Sequence, residues 1–443
     1  MSARRQKSDT TGSGSLVPAA GAISWSRWAA LWATALAALM LGACHQDEAL
    51  QLRYEGTPGL EVPIRMVSGT PAVATRYELS TTEDWSGWFF VDTGSPVTLI
   101  DTQPLGLSEG LYSLSVVETM GLSFLEREGI ALALGEPESW TGGILGGDIL
   151  RFFCLHLDYR GLRGALYTGC LTETLGSLEG VDPPTEVPIQ PRGGGRLFLD
   201  DGSHIDVGPT RVLVEVSIEG SRETAVLDTG ASTPVFAPGL GAALFRAMPD
   251  RPTLSGVPVT TVSGTQDATL MRLSSMSMGD SEIASVACLW VADPTPFEDL
   301  SQEVGRRVQL LVGGSFLRYF AFSMDYPAKK LTLARYRETP HIDPEEFHSV
   351  GAIFHGENGE VLVERVFPYT DAWEKGLQKD DVVVELDETA VSNVQEIEDL
   401  LDTRLVEERV LFTLQRGGET IQMELLIENL LPELYESPDP LAP

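Results

Sequence analysis

The sequence predicts two related, β-rich halves in tandem, followed by a smaller domain of mixed strands and helices. An apolar segment runs into Asp-Thr-Gly twice, at Asp92–Gly94 and at Asp228–Gly230. Each copy is followed by an apolar pair and a glycine, at Ile144–Gly146 and at Leu311–Gly313. Features matched in the same order indicate a tandem duplication. After Tyr336 the chain passes through a polar, proline-containing stretch and its hydrophobic pattern changes, which indicates a separate domain.

Composition and charge narrow the class of protein. Hydrophobic residues make up 43% of the 443 residues and charged residues 21%, values typical of globular domains. They exclude a disordered, collagen-like or multi-span membrane chain. The net charge of -33 repels a phosphate backbone, so we expect no nucleic-acid partner.

The first residues predict export and a lipid anchor. Basic residues precede an apolar run from Trp28 to Leu41, which is shorter than the roughly 20 residues needed to span a bilayer and is typical of a secretory signal. The run ends in Leu41-Gly42-Ala43-Cys44, which resembles the lipobox of bacterial lipoproteins and implies lipidation of Cys44. A plain signal peptide or a buried core helix is the alternative. His45 after the cysteine favours the periplasmic face of the outer membrane in the bacterial cell envelope.

Three cysteines remain after Cys44, in a compartment where disulfides persist. Cys154 and Cys170 flank a predicted hairpin, and a hairpin centred on Leu162 would place them opposite each other. We therefore expect a disulfide between them, with Cys288 left over. No Cys-x-x-Cys or His-x-x-x-His spacing accompanies them, so we expect no metal site.

The repeated Asp-Thr-Gly has a chemistry that can be read from its residue types. An apolar strand delivers a carboxylate into a turn, where glycine permits close backbone approach. The neighbouring threonine hydroxyl can bridge the two copies. Two such carboxylates brought together by a pseudo-twofold axis share a proton, so one acts as a general base and the other as a general acid.

From residue 60 to residue 338 the chain resembles the pepsin/retropepsin family of aspartic proteases. The resemblance implies an all-β bilobal fold of two pseudo-symmetric β-barrel lobes, and a catalytic water as the only cofactor. It implies that Asp92 and Asp228 activate this water and that Thr93 and Thr229 hold the aspartates between the lobes. The motif residues are Asp92, Thr93, Gly94 and Ser95; Asp228, Thr229, Gly230 and Ala231; and the two hydrophobic-hydrophobic-glycine segments Ile144, Leu145, Gly146 and Leu311, Val312, Gly313.

Some features depart from the pepsin pattern. The halves are shorter than pepsin lobes and closer to two fused retropepsin subunits, and the first half has no tyrosine at an obvious flap position. Ser263, Gly264 and Thr265 are a candidate flap turn in the second half. Ser95 can donate a hydrogen bond to Asp92 whereas Ala231 cannot donate one to Asp228, so we expect Asp92 to ionise more readily.

The last domain resembles bacterial PDZ domains, which are small α+β modules. Strand-like and helical patterns alternate in the PDZ order, at 360–366, 371–377, 381–386, 394–405 and 410–415. The resemblance implies a carboxylate-binding loop that captures the C-terminus of a partner peptide. The loop residues are Gly351, Ala352, Ile353 and Phe354. A packing or dimerisation module without a ligand is the alternative.

Together these features predict an envelope-anchored aspartic endopeptidase that hydrolyses extended polypeptide. A catalytically silent peptide-binding scaffold on the same fold is the alternative, and a third possibility is an autoprocessing protease whose PDZ domain regulates cleft access. Oligomeric state is left open. The predicted boundaries are 1–43 for the signal peptide, 44–60 for a tether, 61–172 and 173–338 for the two lobes, 346–428 for the PDZ-like domain and 429–443 for a disordered tail.

Overall fold

The structure is a computed structural model that describes residues 52–67, 69–80, 84–104, 106–134, 141–170, 172–199, 202–261, 264–338, 347–401 and 403–432. The signal sequence with Cys44, residue Ser263 of the predicted flap turn, and residues 433–443 lie outside the described residues. Among the described residues, no helix is long and apolar enough to cross a bilayer.

The first lobe is built mainly of antiparallel strands. Its elements are β1 (Tyr54–Gly56), β2 (Val62–Val67), β3 (Thr70–Leu79), β4 (Asp84–Val91), β5 (Leu99–Asp101), β6 (Gly110–Thr119), β7 (Leu122–Leu132), β8 (Thr141–Leu145), α1 (Gly147–Leu150), β9 (Cys154–Asp158), β10 (Arg163–Tyr167) and α2 (Thr172–Gly176).

The second lobe repeats this order with additional elements. They are β11 (Thr185–Pro188), β12 (Gln190–Arg192), β13 (Gly195–Phe198), β14 (His204–Val207), β15 (Arg211–Ile218), β16 (Ser221–Leu227), β17 (Val235–Phe236), α3 (Pro238–Ala247), β18 (Thr253–Thr261), β19 (Gly264–Arg272), β20 (Ser275–Met278), β21 (Ser281–Ala284), β22 (Ala287–Val291), α4 (Thr295–Val304), β23 (Leu310–Val312), α5 (Gly314–Leu317), β24 (Phe320–Asp325) and β25 (Lys330–Arg335).

The third unit has a sheet and two helices in the order expected from the sequence. Its elements are β26 (His348–Ser349), β27 (Ala352–Glu357), β28 (Glu360–Val366), α6 (Asp371–Glu374), β29 (Val382–Leu386), β30 (Thr389–Ala390), α7 (Val394–Leu401), β31 (Arg409–Arg416), β32 (Glu419–Leu426) and β33 (Glu428–Asn429). Its main sheet runs in the order β27-β28-β29-β31-β32, so β27 is an edge strand.

The two lobes are joined by a shared sheet. Strands β2, β10 and β9 of the first lobe continue into β24, β25 and β11 of the second, and β9 and β24 pair antiparallel with His156 opposite Ser323. Strand β24 is buried along its whole length. The lobes therefore share one hydrophobic core, which fixes their relative position.

The strands that carry the repeated motif become more buried along their length. Strand β4 starts exposed at Asp84 and ends buried at Phe89–Val91, and β16 likewise starts exposed at Ser221 and ends buried at Ala225–Leu227. Each strand therefore delivers the next residue, an aspartate, into the protein interior. The all-β bilobal fold with a C-terminal PDZ domain is confirmed.

Order extends beyond two of the predicted boundaries. Within the predicted tether, β1 pairs with β7, and the ring of Tyr54 packs edge-on against Phe153. Within the predicted tail, β33 reaches Asn429 and Leu431 is fully buried. In both places a short segment pairs with a strand distant in the sequence, which local sequence patterns do not predict.

Candidate active site

The two Asp-Thr-Gly turns meet across the lobe boundary through their threonines. The Thr93 hydroxyl donates to the carbonyl oxygen of Leu227 at 2.9 Å, and the Thr229 hydroxyl donates to that of Val91 at 2.6 Å. Each hydroxyl also accepts a hydrogen bond from the other threonine's backbone N–H, at 3.0 and 3.1 Å. Four reciprocal bonds between buried groups make this crossing a rigid base for the aspartates.

The two carboxyl groups are held symmetrically and face each other. Asp92 Oδ1 accepts from the backbone N–H of Gly94 at 2.7 Å and of Ser95 at 3.1 Å. Asp228 Oδ1 accepts from the equivalent pair in its own turn at 3.0 and 3.1 Å. A methyl group on Gly94 would overlap the Asp228 carboxyl group, and one on Gly230 would overlap that of Asp92. Only glycine leaves room for the opposing carboxyl group, so the two acids lie side by side.

The hydrophobic-hydrophobic-glycine segments support the two turns from behind. Ile144 and Leu145 run parallel to the end of β4, and the Asp92 N–H donates to the Leu145 carbonyl oxygen at 3.1 Å. In the second lobe, Leu311 and Val312 run parallel to the end of β16, and the Asp228 N–H donates to the Val312 carbonyl oxygen at 3.0 Å.

The glycine of each segment lies against the chain beyond its turn. A side chain on Gly146 would overlap the carbonyl oxygen of Val97, and one on Gly313 would overlap that of Thr233. Glycine at these two places lets the chain thread beneath the aspartate turns.

The electrostatics of the pair favour one shared proton. Burial raises the pKa of both carboxyl groups, and at Asp92 the charge of Asp228 raises it further. At Asp228 the hydrogen bond from Asp92 acts in the opposite direction and lowers the pKa. The pair therefore holds one proton between its two carboxyl groups.

The sequence-based expectation that Asp92 ionises more readily rested on a hydrogen bond from the Ser95 side chain, and the structure does not contain that bond. The Ser95 hydroxyl donates to the carbonyl oxygen of Val97 at 2.7 Å, and only the Ser95 backbone N–H reaches Asp92. Since Ala231 also donates its backbone N–H to Asp228, the side-chain difference between the two turns gives Asp92 no extra stabilisation.

Sequence reasoning missed Arg211, a buried cation beside the pair. Its positive charge lowers the pKa of both Asp92 and Asp228. Its Nε donates to both carboxylate oxygens of Glu303 at 2.9 and 3.1 Å. Its Nη1 is buried without a hydrogen-bond partner among the described residues. No motif marks this arginine, because its position depends on strand register.

The strand register also shows how the two sides of the site differ. Ala72 pairs with Phe90, two residues before Asp92, and Leu213 pairs with Val226, two residues before Asp228. Thr70 lies two residues before Ala72, and Arg211 lies two residues before Leu213. Thr70 and Arg211 therefore occupy equivalent positions in the two lobes. The Thr70 hydroxyl donates to the Gly230 carbonyl oxygen at 3.1 Å across the lobe boundary. The pseudo-symmetric site therefore carries a hydroxyl on one side and a guanidinium on the other.

Two tyrosines add apolar bulk next to the pair. Tyr159 and Tyr326 are buried at equivalent places in the two halves. Burial raises the pKa of both hydroxyls, and the charges of Asp228 and Asp92, respectively, raise them further. Both hydroxyl groups therefore stay protonated and uncharged.

Within the described part of the chain, the second lobe contains a helix and a strand that the first lobe lacks at the equivalent place. In the first lobe, residues 102–109 connect β5 to β6 and contain no helix or strand among those described. In the second lobe, α3 and β18 are inserted between β17 and β19, and β18 pairs with β19 along its length. We call β18 and β19, residues 253–272, the flap hairpin. Gly264 and Thr265 begin β19 at its tip.

The predicted carboxylate-binding loop of the third unit begins with a glycine whose backbone has a positive φ. Gly351 has a φ of 81°, and a side chain there would overlap Thr370. Ala352, Ile353 and Phe354 form the start of edge strand β27, and α7 packs beside this strand. The arrangement leaves one long edge of β27 unpaired within the described residues.

Cys154 and Cys170 are joined by a disulfide, with their Cα atoms 5.6 Å apart. The register predicted for the hairpin is wrong, because Cys154 lies opposite Tyr167 and Arg163 lies opposite Asp158. The hairpin is therefore centred earlier in the chain than predicted, and Cys170 reaches its partner from beyond the end of β10. Cys288 is a buried free thiol.

Comparison with known families agrees with this organisation. The chain matches the family described as aspartyl protease over residues 214–316 and the PDZ domain family over residues 349–427. No curated protein matches the chain.

Parts of the chain are similar to solved structures. A retropepsin-like aspartic protease from Rickettsia conorii has 17% identity, with 35% of this chain and 94% of that chain covered and a TM-score of 0.22. The HtrA3 PDZ domain bound to a phage-derived ligand has 15% identity, with 18% and 85% covered and a TM-score of 0.17. An aminopeptidase N family protein from Idiomarina loihiensis has 19% identity, with 19% and 14% covered and a TM-score of 0.18.

The fold, the paired motif and the family matches define the class. The chain resembles a pepsin/retropepsin-like aspartic protease with its two halves in one polypeptide and a PDZ domain at the C-terminal end.

Proposed function

We propose that this chain is an envelope-anchored aspartic endopeptidase that hydrolyses extended polypeptide. The observation that carries the proposal is the apposition of Asp92 and Asp228, each lying where the other lobe's turn has only a glycine. Burying two acids side by side costs stability, so a chain that keeps both has a use for them. This argues against a catalytically silent scaffold.

The geometry suggests how the pair would act on a peptide bond. We assign the negative charge to Asp228, which takes a proton from a water molecule whose oxygen attacks the carbonyl carbon, while Asp92 gives its proton to the carbonyl oxygen. In the second step Asp228 donates its proton to the amide nitrogen, and Asp92 recovers one from a hydroxyl of the tetrahedral intermediate. The C–N bond breaks and the original protonation state returns.

Hydrolysis of a peptide library by soluble residues 45–443 tests this function. We expect cleavage by the unmodified protein and a loss of at least about 1,000-fold in kcat for Asp92→Asn and for Asp228→Asn, because each removes one proton-transfer group. Asp101→Asn is the matched control, since Asp101 is buried in the same lobe but belongs to β5, where its Oδ1 accepts from the backbone N–H of Gln103. Unchanged cleavage in either dyad variant would refute the proposal. Peptide binding without turnover in the unmodified protein would favour the scaffold.

We propose that the third unit binds the C-terminus of a polypeptide. The support comes from the PDZ family match, the positive φ of Gly351 and the unpaired edge of β27 beside α7. A peptide would add to this edge as a strand, with its carboxylate at the loop of residues 350–354.

We further propose that Cys44 anchors the chain to the periplasmic face of the outer membrane. The support is the sequence alone. A Cys44→Ser variant expressed from the full-length gene should leave the membrane fraction and lose incorporation of labelled palmitate. Continued co-sedimentation with outer membranes would contradict the anchor.

A further inference from the structure

The PDZ domain packs directly on the flap hairpin of the second lobe. One buried apolar cluster includes Leu254 and Val257 of the hairpin together with Ile353 and Phe367 of the PDZ domain. All four side chains are almost fully buried. The hairpin and the PDZ domain therefore share a hydrophobic core and do not behave as independent bodies joined by a linker.

An ion pair links the outer part of the hairpin to the PDZ sheet. Arg365 of β28 lies 2.8 Å from Asp267 of β19. The pairing of β19 with β22 ends at Ala268, so Asp267 belongs to the part of the hairpin where β19 pairs only with β18. The ion pair therefore adds a contact to a segment that β22 does not hold.

A bulge in the hairpin makes room for this arginine. The β18–β19 register shifts between Ser255 and Val257, and Gly256 has a φ of 80°. A Cβ atom on Gly256 would lie 2.6 Å from Nη1 of Arg365. Glycine is thus favoured by the backbone conformation, and a side chain at this position would displace the Arg365 guanidinium group from its place beside the bulge.

A second link holds the base of the hairpin. Arg272, the last residue of β19, donates from Nε and Nη2 to the Leu431 carbonyl oxygen at 3.2 and 3.1 Å. Its guanidinium carbon lies 4.9 Å from the ring centroid of Phe347. Phe347 precedes the PDZ domain and Leu431 follows it, so both ends of the domain converge on the same arginine.

These contacts connect to the carboxylate-binding loop. Ile353 belongs to this loop, lies opposite Arg365 in the β27–β28 register and packs in the cluster shared with the hairpin. The register shifts between Ile353 and Phe354, so the strand is irregular at this point. The Phe367 backbone N–H donates to the Gly351 carbonyl oxygen at 2.8 Å. A ligand that orders residues 350–354 therefore acts on residues that contact the hairpin.

We propose that contacts with the PDZ domain hold the flap hairpin in the conformation that binds substrate. We further propose that a polypeptide C-terminus bound at residues 350–354 strengthens these contacts and thereby lowers the KM of the peptidase. The effect on KM rests on the proposed function. The hold on the hairpin does not, and it is measured separately by amide hydrogen exchange. A ligand can strengthen these contacts only if it binds the strengthened conformation more tightly than the other one. Its effect therefore requires contact with β27, which is irregular at Ile353 and Phe354.

Charge reversal in the full chain from residue 45 tests the hold. Arg365→Asp and Asp267→Arg should each speed amide exchange of residues 253–272 about two- to fivefold and raise KM by a similar factor, because the Asp267 carboxylate is mostly exposed and solvent weakens the ion pair. The double exchange Arg365→Asp/Asp267→Arg should restore both values. Arg196→Asp is the matched control: it disrupts an ion pair with Asp206 in the same lobe, formed at 3.0 Å, and should change neither.

The possible results separate the two proposals. Unchanged hairpin exchange in both single variants would overturn the hold, whether or not the protein hydrolyses peptides. Faster exchange with no change in KM, in a protein that does hydrolyse peptides, would overturn the link to turnover. No hydrolysis by the unmodified protein would overturn the proposed function, while faster exchange in the variants would still support the hold.

A peptide pool tests the ligand. The probe is a random hexapeptide library with free C-termini, and the same library with amidated C-termini is the control. The free pool should slow exchange at residues 350–357 and at residues 253–272 and should lower KM, whereas the amidated pool should not. Slower exchange confined to residues 350–357 would overturn the coupling, and no change at residues 350–357 would overturn the ligand assignment.

Discussion

Replacing Thr93 by valine should destabilise the protein by about 2–6 kcal/mol without changing the volume of the side chain. Its hydroxyl donates to the Leu227 carbonyl oxygen at 2.9 Å and accepts from the Thr229 backbone N–H at 3.1 Å. Valine removes both bonds and leaves both buried backbone groups unpaired. Each unpaired buried group costs about 1–3 kcal/mol, which gives the total. Thr229→Val should cost a similar amount, because its hydroxyl makes the equivalent pair of bonds.

Urea denaturation of the soluble chain at neutral pH measures this cost, and Thr93→Ser is the control because it keeps the hydroxyl. The serine variant should lie within about 1 kcal/mol of the unmodified protein. A loss below about 0.5 kcal/mol in Thr93→Val, or a large difference between the two valine variants, would refute the reciprocal crossing of the lobes.

Four further predictions follow from the same site and from the disulfide. Gly94→Ala should abolish cleavage, because its methyl group would overlap the carboxyl group of Asp228. Gly169→Ala is the control and should leave cleavage unchanged, because its methyl group would meet no atom within 4 Å. Equal activity of the two variants would refute the apposition of the two acids. Burial raises the pKa of Asp92 in the folded state, so the stability its protonated form contributes is lost as the pH rises through that raised value. Asp92→Asn should therefore stabilise the protein more at pH 7 than at pH 4, and the opposite order in thermal melts would contradict this. The charge of Arg211 lowers the pKa of both acids, so Arg211→Met should move the pH–rate profile to higher pH. Arg211→Lys keeps the positive charge and should largely keep the original profile. An unmoved profile in Arg211→Met would rule out this electrostatic role. Cys170→Ser removes a disulfide between residues 16 apart in the sequence and should lower the free energy of unfolding, measured by urea denaturation, by about 3 kcal/mol. A loss near zero would show that the disulfide is not formed in solution.

The local motifs were predictable from the sequence because they repeat. Asp92 and Asp228 stand in matched apolar contexts, so the duplication itself indicates that they are equivalent and meet on an axis. The PDZ unit was predictable for a related reason: its strands and helices carry strong periodic patterns, and β28 coincides with the predicted strand at residues 360–366.

The features that sequence reasoning missed depend on register and on contacts between distant segments. The place of Arg211 beside the acids follows only from the pairing of Leu213 with Val226. The hairpin that carries Cys154 is displaced from the predicted centre, because local sequence does not determine which residues form its turn. The Ser95 hydroxyl had a nearer acceptor at Val97, which no residue pattern reveals.

The contact between the PDZ domain and the flap hairpin belongs to the same group. Nothing in the sequence around Gly256 or Arg365 marks them as partners, since 109 residues separate them along the chain. Only the folded arrangement shows that the bulge at Gly256 leaves room for the guanidinium group.

The central claim is that two acids from distant parts of the chain share one proton, and an NMR titration of carboxyl-labelled aspartates tests it most directly. We expect the pair to titrate in two separated steps, with one apparent pKa above the ordinary range, and the pKa of Asp92 to fall when Asp228 is replaced by asparagine. Two independent titrations near the ordinary aspartate pKa, unchanged by that replacement, would contradict the account.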